Sequence, residues 1–267
     1  MDESKLLEMI KNNPNAITTI ENPTQEMKLI ALRNNGLLLK FIKDPTREME
    51  ETAMDNNVRA IEFVKNPSET MKIKAVNHGW INLEYIKNPS EELIKSALNQ
   101  AGWAIKYVNN PSLELQLLAV RKNYDSIKFI KNPGKLVQEE AVKTNYEALR
   151  YINSPSLNTE LIAVRNNEMA VKLINDLDKD KLLEFLRVNI LVIKYVMKEI
   201  SQDELEQILI EELSKEEIEE KYIRDLLNCS VIDRNNPEMP IDKLMLIYKY
   251  GSKKAKRVAV DEKLKLI

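Results

Sequence analysis

The chain has 267 residues, 43% apolar and 31% charged, with a formal charge of −2. That is enough apolar material for one or two full cores, and the near-neutral balance excludes a general pull toward nucleic acid or acidic membranes. A single cysteine, Cys229, excludes an intramolecular disulfide and suits a reducing compartment, and no apolar run approaches the ~18 residues of a bilayer span.

The chain opens on Met1-Asp2-Glu3-Ser4, acidic and without a signal-peptide core, so a cytoplasmic protein is expected. Residues 1–22 already fit a repeat that then becomes plain. Pro23, Pro45, Pro67, Pro89, Pro111, Pro133 and Pro155 stand 22 residues apart. A unit of that length cannot bury its apolar face alone, so the chain is expected to be a stacked array.

With each proline as position 0, the preceding residue is Asn22, Asp44, Asn66, Asn88, Asn110, Asn132 or Ser154. These read as N-caps with proline in the first helical position, and Gln25, Glu69 and Glu91 could close capping boxes with Asn22, Asn66 and Asn88. A helix of about eleven residues should follow, its buried stripe at positions 4, 8 and 9. Position 8 is alanine in all seven units, from Ala31 to Ala163, which implies a close helix approach there. Position 12 carries Asn35, Asn57, Asn123, Asn145 and Asn167, with Gly79 and Ala101 in the other two. Asn and Gly tolerate a left-handed conformation, so the first helix should end there.

A second helix of about eight residues is then expected, burying positions 15, 16, 18 and 19. Position 18 is aromatic in six units: Phe41, Phe63, Tyr85, Tyr107, Phe129 and Tyr151. Beyond the prolines, Asn189, Ile193, Tyr195 and Val196 keep the register. From about residue 199 it is lost. Residues 201–220 read as an acidic amphipathic helix with Leu205, Ile208, Leu209 and Leu213 on its apolar face. A last helical pair spans 241–250 and 253–260. The expected fold is all-α: an α-solenoid of about nine two-helix 22-residue repeats over residues 1–198, closed by a helical cap over 199–267.

The core of two units, Ala75-Val76-Asn77-His78-Gly79-Trp80 and Ala101-Gly102-Trp103-Ala104-Ile105-Lys106-Tyr107, resembles the Ala-Val-x-x-Asn-Gly-Trp-Ala-Leu repeats of uncharacterised bacterial and viral proteins. The Asn-Pro start followed by two short helices is also similar to leucine-rich repeat variants. The period here is shorter, and several units lack Gly-Trp. The resemblance implies a HEAT-like α-solenoid of bacterial or phage kind and carries no catalytic residues.

Little in the chain carries chemistry. One histidine, His78, and one cysteine cannot make a zinc site, a Ser-His-Asp triad or a Cys-His dyad. His78 falls at an exposed turn position, and Cys229 follows Leu226-Leu227 as a small buried hydrophobe. No glycine-rich phosphate loop is present. No catalytic residue, metal site or cofactor is expected.

Two surface patterns remain. A basic ladder runs through Lys40, Lys106, Lys128, Arg150 and Lys172 at position 17 and Lys43, Lys65, Lys87 and Lys131 at position 20, interrupted by Glu62 and Glu84. It could follow a phosphate backbone, or it could complement helix dipoles and stay in water. Aromatics form the second pattern. Trp80, Tyr124 and Tyr146 at position 13 and Trp103 at position 14 stand near Arg121, Lys122 and Lys143. Aromatics beside cations suit a binding hot spot, or each ring could lid the turn against the next unit. The leading expectation is a non-catalytic scaffold for a protein partner, such as an adaptor or a stoichiometric inhibitor of a host defence enzyme. A nucleic-acid-binding solenoid using the ladder is the alternative, and a DNA-repair-like glycosylase is third. No membrane partner is expected.

Overall fold

The computed structural model describes residues 2–264. Met1 and residues 265–267, which fall in the first repeat and the C-terminal cap of the sequence reading, lie outside the described residues. Every element is helical, with no strand among the described residues, and the chain is an α-solenoid of regularly spaced helix pairs.

Each of the first eight repeats pairs a ten-residue α-helix with a six-residue 3-10 helix, in place of the two α-helices expected. The α-helix starts two residues after the proline. Thr24, Thr46, Ser68, Ser90, Ser112 and Ser156, each at position 1, are the N-caps, and each hydroxyl accepts the N–H of position 4. The residue before proline is therefore not the cap, proline lies outside the helix, and the capping boxes expected from Asn22, Asn66 and Asn88 do not form. Instead Asp44, Asn88, Asn110, Asn132 and Asp176 take φ near +50°. Asn and Asp are the non-glycine residues that best tolerate that region.

Position 12, expected to be left-handed, is extended, with φ of −149° at Asn35 and −146° at Asn57. Its amide oxygen caps the next helix: Asn35, Asn57, Asn145 and Asn167 accept the N–H two residues on. The two rows of asparagines thus exchange the roles read from sequence. From position 13 the chain makes six residues of 3-10 helix, is extended at position 19 and then bends into the next proline. At three residues per turn, positions 14 and 17 stack on one outward line. Positions 15 and 16 are buried throughout, for example Ala60 with Ile61 and Ala104 with Ile105. Position 18, expected in the core, stands at the edge of the buried sector: Phe41, Phe129 and Tyr151 are 57%, 39% and 40% exposed.

The described residues divide into two compact units, one ending at Ile130 and the other beginning at Lys131. In the first, α1 (Glu3–Asn12), α2 (Gln25–Asn34), α3 (Arg47–Asn56), α4 (Glu69–His78), α5 (Glu91–Gln100) and α6 (Leu113–Lys122) form one layer and the 3-10 helices the other. The 3-10 helices of the first five repeats each pack on their own α-helix and on the next. The tightest joints are at Gly36 and Gly102: a Cβ there would lie 2.1 Å from the Ala53 carbonyl oxygen and 2.2 Å from that of Ala119. Close approach at position 8 therefore involves backbone as well as alanine side chains, all seven of which are fully buried. Amides stitch the repeats together. Gly36 N–H donates to Asn56 Oδ1 (2.7 Å), Gly102 N–H to Asn123 Oδ1 (2.8 Å), and Gln100 Nε2 to the Val76 carbonyl (2.7 Å).

The second unit continues with α7 (Lys135–Thr144), α8 (Leu157–Asn166) and α9 (Lys179–Val188), then a short α10 (Ile193–Val196). Phe185 replaces alanine at position 8 of α9 and is fully buried. The helix expected over 201–220 is shorter: α11 (Gln202–Leu213) ends at Ser214, residues 214–219 form a turn, and a separate helix, α12 (Glu220–Asn228), starts at the end of the acidic segment. Leu205, Ile208, Leu209 and Leu213 are buried as expected. Tyr222 donates to the Leu186 carbonyl at 3.0 Å, and its burial pushes the phenol pKa up. The last pair, α13 (Lys243–Tyr250) and α14 (Lys253–Leu264), packs on α11 and α12. Lys243 Nζ donates to the Leu227 and Cys229 carbonyls at 2.9 Å each, closing the C-terminus of α12 over buried Cys229. Burial lowers the Lys243 pKa.

Candidate interaction surface

Adjacent 3-10 helices of the first unit place position 13 of one repeat beside positions 14 and 18 of the next. Three rings meet there: Trp80 opens Trp80–Tyr85, while Trp103 and Tyr107 belong to Gly102–Tyr107. The Trp80 and Trp103 centroids are 6.4 Å apart with planes at 55°, and Trp80 and Tyr107 are 6.2 Å apart at 36°. Such tilted pairs contribute ~0.5–1.5 kcal/mol each beyond the area they bury.

Two of the rings have a polar handle that is tied down. Trp103 Nε1–H donates to Asp125 Oδ1 at 2.7 Å, and Lys128 Nζ donates to Asp125 Oδ2 at 2.7 Å. Partial burial works against the charge on Asp125, but the bonds from Lys128 and Trp103 outweigh it and hold the carboxyl below its ordinary range. Tyr107 O–H donates to Glu84 Oε2 at 3.1 Å. Trp103, Ile81 and Phe129 stand 38%, 50% and 39% exposed, so the layer offers apolar surface that its own chain does not cover.

Of the residues predicted from sequence, Trp80 and Trp103 come together. Arg121 and Lys122 lie exposed in the last turn of α6, where cations complement the helix dipole, and Tyr124 opens the next 3-10 helix half-buried. Lys143 and Tyr146 belong to the second unit. Lys143 is exposed at the end of α7, and the Tyr146 hydroxyl points to Met169 Sδ at 4.0 Å. Sequence reading missed Tyr107, Glu84 and Asp125 as parts of the surface. The period held the signal, because Trp103 and Asp125 are 22 residues apart, and Tyr107 and Glu84 are 23 apart.

The ladder does not form one helical face. Positions 17 and 20 were expected three apart on a helix, but the 3-10 helix ends at position 18, leaving Lys43, Lys65, Lys87 and Lys131 in the bend beyond it, all exposed. Lys65 Nζ lies 4.0 Å from the Asp44 carboxylate. Among position 17 cations, Lys40 lies over Phe41 (4.6 Å to the centroid), Lys128 over Phe129 (5.2 Å) and Lys172 over Tyr195 (4.1 Å). Arg150 lies 3.7 Å from Glu147. Lys106 Nζ sits 5.5 Å from the Trp80 centroid and 4.5 Å from that of Tyr107.

No group of three or more His, Cys, Asp or Glu among the described residues could hold a metal ion, and no described helix is long and apolar enough to cross a membrane. No protein-family model, curated protein or solved structure matches the chain.

Proposed function

We propose that this chain is a non-catalytic cytoplasmic scaffold that binds a protein partner through the Trp80–Trp103–Tyr107 surface, acting as an adaptor or stoichiometric inhibitor. The observation that carries the reading is a partly exposed group of three large rings, two of which, Trp103 and Tyr107, have their tips already fixed by hydrogen bonds. Rigid aromatics of this kind bury large area at little entropic cost, and Trp and Tyr dominate protein-binding hot spots. A protein partner is favoured over nucleic acid because the net charge is −2 and several position 17 cations neighbour carboxylates or cover rings. The helical repeat itself fits either partner, including the solenoid classes it resembles.

The test compares partner capture from extract of the native cell by the intact chain and by a Trp80→Ala/Trp103→Ala variant with an unchanged circular dichroism spectrum. A specific protein held by the first and lost by the second is expected. An unchanged captured set refutes the surface. Tight DNA or RNA binding that weakens steeply between two salt concentrations would replace the protein partner with phosphate contacts.

A further inference from the structure

The Trp80 and Tyr107 rings share one point in space, and an ammonium occupies it. Lys106 Nζ lies 5.5 Å from one centroid and 4.5 Å from the other, both within the ~6 Å at which a ring face attracts a cation. Glu84 accepts the Tyr107 hydroxyl, and Asp125 accepts Trp103 Nε1–H while bound to Lys128. Asp125 is paired with Lys128 and Glu84 lies within electrostatic reach of Arg59, so the faces of Trp80 and Tyr107 themselves carry the attraction. Lys106 is exposed, on a flexible four-carbon stem, and can swing out without disturbing the core.

We propose that the ring faces of Trp80 and Tyr107, with Trp103 beside them, are a receptor for a cationic side chain, an alkylammonium or guanidinium of a protein partner, and that Lys106 is its intramolecular placeholder. The incoming cation takes the ring faces, and the displaced ammonium becomes available to a carboxylate beside it on the partner. The chemistry recognised is therefore a basic residue flanked by an acidic one. This inference rests on the protein-binding reading above and adds what the surface takes.

Trp80 and Trp103 are the only two tryptophans in the chain, so its tryptophan fluorescence reports on this surface alone. The experiment titrates tetramethylammonium chloride into the intact chain and into Lys106→Ala, with sodium chloride at equal ionic strength and tert-butanol as the uncharged isostere. A saturable change in emission is expected in Lys106→Ala, with half-saturation about fivefold lower than in the unsubstituted chain, as loss of a competing contact of ~1 kcal/mol implies. A Lys106→Ala/Tyr107→Leu variant, which keeps both reporters, should lose the response. The inference is overturned if Lys106→Ala gives no saturable change, or if tert-butanol reproduces it. Loss of partner capture on removing the tryptophans, together with no response to tetramethylammonium, would leave the protein-binding reading standing and remove the cationic ligand.

Discussion

Gly102→Ala is the smallest change with a large expected effect. The added methyl would lie 2.2 Å from the Ala119 carbonyl oxygen, 3.0 Å from its carbon and 3.1 Å from the Asn123 nitrogen, all backbone atoms of the next α-helix and its C-cap. A side chain in the way could rotate, but a helical backbone has to move as a unit. Relief requires the 3-10 helix Gly102–Tyr107 to back away from α6, which also strains the 2.8 Å bond from Gly102 N–H to Asn123 Oδ1. Overpacking of this kind costs ~1–3 kcal/mol. At ~2–4 °C per kcal/mol for a chain of this size, melting should fall by several degrees. Gly79→Ala is the internal control. Its φ of 177° is ordinary extended backbone, and its Cβ would meet nothing closer than Asn82 Nδ2 at 4.0 Å. Removing a glycine where there is room stabilises by ~0.4–1 kcal/mol, chiefly through the unfolded chain. Thermal denaturation followed at 222 nm should therefore move the two variants in opposite directions. If Gly102→Ala melts at or above the unsubstituted chain, the tight joint is not a constraint on the fold.

Asn110 takes φ of +48° before Pro111. Asn110→Val should lower stability in urea denaturation by ~1–2 kcal/mol, while Asn110→Gly should lose little; equal losses would exclude a backbone cause. The pKa of Glu204 is depressed from its ordinary 4.5 to about 2, first by the hydrogen bond from Lys179 and then by those from the Ser201 backbone and hydroxyl. A depressed carboxyl contributes stability that is fully present above its unfolded value and is lost as pH falls through the folded one. The part of the acid transition lying between pH 4.5 and about 2 should therefore be shallower in Glu204→Gln when unfolding is followed against pH, and an unchanged profile would deny the pairing any role.

Much of the fold was legible because the repeat constrains it. A proline every 22 residues and a fixed alanine at position 8 set the register, and the buried rows at positions 4, 8, 9, 15, 16 and 19 follow from it. Helix boundaries were less legible because the same residue types perform two jobs. Asn before proline reads as a cap, yet at Asn88 and Asn110 it makes the left-handed bend that lets Ser90 and Ser112, two residues later, do the capping. Asn at position 12 reads as a left-handed stop, yet at Asn35 and Asn57 it is extended and caps the 3-10 helix. Composition cannot separate these roles, since Asn suits both.

The candidate surface was legible in part for a related reason. In a globular core an aromatic near apolar neighbours is assigned inward, and Tyr107, one residue before the mostly buried row at position 19, looked like core. A 3-10 helix advances 120° per residue rather than 100° and stops at position 18, so that side chain rests on the border between core and solvent. The consequence is a ring with one edge on the repeat and one face available to Lys106 and Trp80. The period then supplies the partners. Positions 13 and 14 of successive repeats bring Trp80 to Trp103, and position 14 repeated once more brings Trp103 to Asp125. Only in this part of the first unit do those positions carry tryptophan, tryptophan and aspartate in succession. The scaffold is generic along its length, and whatever specificity the surface has is written in a few outward residues that the register aligns.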